Sequence, residues 1–175
     1  MKKAGVKVDD ENLTATMDYI QQAGPVGYMP YSGISNQKGK PNDAFGRTGT
    51  LALALQLDGS RLQYAKRVDD ALTELYPKST YFSHASCVMG KATGMIGIAI
   101  SDPKLFRKMM DQCQHDFDLV RLSDGSFVSN PAKKNRHGKM DLVQGGSGEK
   151  HRWTTAFNAL IYALGEKKLR IAGAK

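Results

Sequence analysis

Three observations in this 175-residue sequence predict an all-α fold of about three outer–inner helix pairs, arranged as a solenoid or a closed α/α ring. Three segments repeat apolar residues at helical spacing and keep one polar face. Three others of helical length carry almost no charge, which marks helices buried on every side. The two kinds alternate along the chain, as they do in stacked helix pairs.

The first amphipathic segment runs from about Asp9 to Gln22 with Leu13, Met17 and Ile20 on one stripe, and Gly24-Pro25 stops it. Thr48 to Leu57 is the first apolar helix, entered through Gly46-Arg47-Thr48. Residues 60–76 form the second amphipathic helix, with Ser60 as N-cap, Leu62, Val68, Leu72 and Leu75 on the apolar face, and Pro77 as terminator. Ser86 to Ile100 is apolar again, and its glycines suit close packing between neighbours. Asp102-Pro103 pairs an N-cap with a first-turn proline and opens a third amphipathic helix over 102–121, striped by Phe106, Met109, Cys113 and Phe117. Trp153 to Leu164 is the last apolar helix.

The connectors repeat as well. GPVGYMPYSG (24–33) and DGSFVSNP (124–131) share glycine, aromatic and proline in the same order. Tyr28, Tyr31 and Phe127 in them are expected to brace adjacent pairs. Residues 130–149 read as a long, basic, glycine-rich rim.

Composition bounds the function. A net charge of +8 favours an anionic small molecule or glycan as partner. No aromatic–basic interleaving accompanies the charge, so nucleic acid is not expected. No apolar run approaches the ~20 residues of a membrane span, and the two lysines near the start precede no signal-peptide core. The two cysteines, Cys87 and Cys113, match no zinc spacing and read as buried thiols, so no metal or cofactor is expected. Compartment is left open.

FGRTGTLALALQL, SHASCVMGKATGMIGIAISDPKLFRKMMD, DGSFVSNP and the terminal KLRI together resemble an uncharacterised bacterial family of α/α-toroid proteins, related to terpenoid cyclases and prenyltransferase β-subunits. The resemblance covers residues 12–171 and implies a single toroid domain over 1–175. That domain is either the C-terminal part of a longer protein or a half-ring completed by a second copy. It implies no reaction, because the cyclases' aspartate-rich motif is missing. The nearest text, Val68-Asp69-Asp70, falls on an amphipathic helix. The prenyltransferase zinc ligands are not recognisable either.

In such an array the inner helices run the same way, so their N-termini gather at one mouth. Those ends carry unpaired N–H groups and about half a positive charge each, which favours anions. Arg47, Thr48, Tyr81, His84, His151 and Arg152 are the expected ligand-binding residues there. Arginine supplies a fork matched to carboxylate, phosphate or sulfate. Each has a plainer reading: Arg47 as a loop tether, Thr48 as an N-cap, His84 as a hydrogen-bonded core residue, and His151 with Arg152 as a solvated basic cluster. Binding without catalysis is the leading function. A polysaccharide lyase or hydrolase using Arg, His and Tyr at the mouth is the alternative. An isoprenoid-type cavity lined by Met89, Met95 and Phe157 is the third.

Overall fold

A computed structural model describes residues 9–30, 44–79, 87–127 and 148–166. These residues form six α-helices: α1 (Asp10–Ala23), α2 (Phe45–Asp58), α3 (Leu62–Ser79), α4 (Cys87–Ser101), α5 (Pro103–Val120) and α6 (Gly148–Gly165). Among the described residues there is no strand, only a single bridge between Arg121 and Phe127 in the turn after α5.

Helix ends follow local chemistry where a cap exists. The Asp9 carboxylate accepts from the N–H groups of Glu11 and Asn12 and starts α1. Asp102 does the same for Lys104 and Leu105 of α5, with Pro103 in the first turn as expected. Several ends differ from the sequence reading, among them the start of α2, at Phe45 rather than Thr48. The Ser60 backbone N–H and hydroxyl both donate to Asp58, so Ser60 does not cap α3. Pro77 does not end α3, which continues to Ser79. Pro77 forgoes one helix bond, to the Thr73 carbonyl, and the two residues after it keep helical backbone. α6 begins at Gly148 rather than Trp153, which takes His151 and Arg152 into the helix.

The core is built around α4. Gly90, Gly94 and Gly97 face α2, where Gly46 and Gly49 replace side chains and the two backbones touch. A Cβ on Gly49 would lie 2.4 Å from the Thr93 carbonyl oxygen. Lys91 faces α5, its Nζ 3.9 Å from the Phe117 ring centroid. α6 packs on α4 as well. Val68, Leu72, Leu75, Met95, Met109 and Phe117 fill the space between. Cys113 is a buried thiol, as read from the sequence.

The uncharged helices are not wholly buried. α4 leaves Met89 exposed and Thr93, Ile96 and Ile100 partly open along one face. α2 exposes Thr50 and Leu57, and α6 exposes Ala156, Ala159 and Tyr162. Low charge identified these helices but could not tell a covered face from an open apolar one. Leu62, placed on the apolar face of α3, is 75% exposed at the helix start, ahead of the first turn that packs.

Candidate functional site

α2, α4 and α6 share one direction. Gly46 lies against Gly90, and Gly49 against Thr93, Gly94 and Gly97, so α2 and α4 run in parallel. Lys91 near the start of α4 lies over Phe117 near the end of α5, so these two run in opposite directions, joined by Asp102 alone. Thr155 sits beside Phe127, just beyond α5, while Gly165 sits beside Phe106 in the first turn of α5. α6 is therefore antiparallel to α5 and parallel to α4. The starts of α2, α4 and α6 lie at one end of the row.

At that end Arg47 and Thr48 hold a connector. The Met29 N–H donates to the Thr48 hydroxyl at 3.2 Å, and Arg47 Nε donates to the Met29 carbonyl at 3.3 Å. Thr48 has no exposed surface. It is not an N-cap, because α2 already begins at Phe45 after Ala44, which makes no side-chain cap. The same clamp recurs at the last pair, where the Phe127 N–H donates to the Thr155 hydroxyl at 2.9 Å. Each clamped residue stands two positions after a left-handed glycine, Gly27 (φ 97°) or Gly125 (φ 82°). The connector likeness seen in sequence is thus a repeat of backbone geometry.

The clamping role of Thr155 was not legible in its own segment, although Arg-Thr in GRTGT and Arg-Trp-Thr-Thr in HRWTT give a weak signal once the connectors are aligned. The first connector also braces α3. The Tyr28 hydroxyl donates to Glu74 of α3, and Tyr64 donates to the Gly24 carbonyl at 2.9 Å. Burial, then the bond to Glu74 and its charge, push the Tyr28 phenol up to about 12. Phe127 packs near Tyr162, with ring centroids 6.1 Å apart.

Among the remaining expected residues, Arg152 is exposed in the second turn of α6. His151 belongs to the same helix, but its side chain lies outside the described residues, as do Tyr81 and His84. Of the cavity residues proposed from sequence, Met89 is 37% exposed, Met95 is fully buried and Phe157 packs against the core. His115 of α5 is exposed. Among the described residues no group of three His, Cys, Asp or Glu side chains is placed to hold a metal.

One further ionisable group lies away from this end. Asp69 of α3 is half-buried, and one of its carboxylate oxygens is buried without a hydrogen-bond partner. Desolvation raises its pKa; the bond from Ser101 opposes this, and the charges of Asp70 and Asp102 add to the rise.

These features define an all-helical domain of alternating helices with repeated connector clamps and no recognisable catalytic constellation among its described residues. The chain belongs to the family DUF6288, a domain of unknown function, whose model matches residues 1–173. No curated protein and no solved structure matches it. No helix among the described residues is long and apolar enough to cross a membrane.

Proposed function

We propose that this domain is a segment of an α/α-toroid-type array that binds an anionic ligand, a phosphate, sulfate or carboxylate group, at the end where α2, α4 and α6 begin. The parallel run of those three helices carries this reading, since it sums their partial positive charges at one end. The exposed Arg152 in the second turn of α6 and the net charge of +8 add to that field. Arg47 and Thr48 stand at the same end and fix its shape through Met29. Arg47, donating to the Met29 carbonyl, and Thr48, accepting from the Met29 N–H, set where the ligand meets the start of α2.

The test is titration with inorganic phosphate, sulfate and a sulfated oligosaccharide, followed by melting temperature and by backbone amide shifts. Saturable, salt-sensitive stabilisation with shifts at Phe45–Thr48 and around Arg152 supports the site. Equal response to a neutral oligosaccharide, or no response, overturns it.

A second reading rests on the open apolar face of α4, where Met89 is 37% exposed in line with partly open Ile96 and Ile100. This face suits an apolar ligand. An aliphatic fluorescent probe displaced from the Met89→Gln variant but not by phosphate would favour it over the anion site. The enzymatic alternative draws on Tyr81, His84 and His151, and turnover of a uronate polymer is its direct assay.

A further inference from the structure

Arg152, Ala156, Ala159, Ala163 and Glu166 recur on α6 and its last turn at intervals of four, three, four and three residues. That spacing keeps them on one face, the face by which two helices lie side by side. Ala163 is partly open and the other four are exposed. The opposite side, with Thr154, Asn158 and Ile161, is buried in the domain. Small residues here would permit the close backbone approach already seen where glycines join α2 to α4.

The charges decide what fits. Ala159 stands midway, seven residues from Arg152 on one side and from Glu166 on the other. A parallel copy of α6 would set Arg152 against the partner's Arg152 and Glu166 against the partner's Glu166. An antiparallel copy related by a twofold axis at Ala159 sets each Arg152 against the partner's Glu166 and brings Ala156 and the partner's Ala163 within one residue of the same level. The face is complementary to itself in that one register, which is the condition for an isologous dimer. We propose that this face of α6 docks against α6 of a second copy of the chain.

The proposal does not depend on the anion site, but the two share Arg152, so association is measured without phosphate or sulfate. Sedimentation velocity of the whole chain over roughly 1–200 μM spans the range of a moderate dimer. The expected result is a concentration-dependent dimer. Ala159→Glu, at an exposed position, should leave the helical circular dichroism unchanged and give a monomer. Arg152→Glu and Glu166→Arg should each weaken association by about tenfold through like-charge pairs, and the double variant should restore it. A monomer throughout overturns the proposal. So does a dimer that none of these variants weakens, or single-variant losses that the double variant fails to repair.

Discussion

Gly49 of α2 and Gly94 of α4 meet backbone to backbone, so that a Cβ on Gly49 would lie 2.5 Å from the Gly94 Cα and 2.4 Å from the Thr93 carbonyl oxygen. Neither atom can move without moving its helix. Gly49→Ala should therefore cost about 3 kcal/mol, at the upper end of overpacking. Gly59→Ala is the control. Gly59 has open space around it but a φ of 70°, so its loss should cost only about 1 kcal/mol of left-handed strain. Urea unfolding of both variants measures the difference, and equal losses would show that the seam is not tight.

The two connector clamps predict a graded loss. Thr48→Val keeps the shape but leaves the Met29 N–H without its acceptor at a buried hydroxyl site, which should cost about 1–2 kcal/mol. Thr155→Val removes the partner of the Phe127 N–H at a half-buried position and should cost less, about 1 kcal/mol. Hydrogen exchange at Met29 and Phe127 should accelerate in the matching variant only.

Asp69 gives a pH dependence of known sign. Its carboxyl is raised from 3.8 in the fold, chiefly by desolvation, so the folded chain binds that proton more readily than the unfolded one. The ionised group disfavours folding above the raised value, and this penalty fades as the pH falls towards 3.8. Asp69→Asn should then be more stable than the parent at neutral pH, with the gap closing in acid. Chemical denaturation at pH values across that window measures it. A variant less stable at neutral pH would mean that the Ser101 contact outweighs burial.

Tyr28 titrates in the opposite range. With its phenol raised from 10.0 to about 12, its contribution to stability is complete below pH 10 and lost as the pH rises towards 12. Glu74→Gln removes the hydrogen-bonded carboxylate, so the Tyr28 phenol should titrate lower in a difference absorbance titration against Tyr28→Phe. Burial, the larger cause, should hold it above the ordinary tyrosine range.

Where a signal is local, the sequence carries it. Asp9 and Asp102-Pro103 mark helix starts through side chains two or three residues from the amides they cap, and the apolar stripe of α5 lies on one face as its spacing demands. The start of α2 at Phe45 has no such signal. Its side chain is held by packing on Gly94, 49 residues away. The site was legible only in outline. Arg47 and Thr48 lie in the first turn of α2, and their partner Met29 stands 18 and 19 residues earlier, beyond any periodicity. The Ala156, Ala159 and Ala163 face of α6 reads as core because an open alanine face and a buried one have the same composition.

The principal seams pair each helix with its next or next-but-one neighbour in the chain: α2 with α3 and α4, and α4 with α5 and α6. Such local wiring has a consequence for synthesis. As the chain leaves the ribosome, α2, α3 and α4 can close on one another while α6 is still being translated, and no early helix waits for a distant partner. Low contact order of this kind favours fast folding. It also confines the damage of a late stop codon: loss of α6 strips one side of α4 and leaves the glycine seam between α2 and α4 intact.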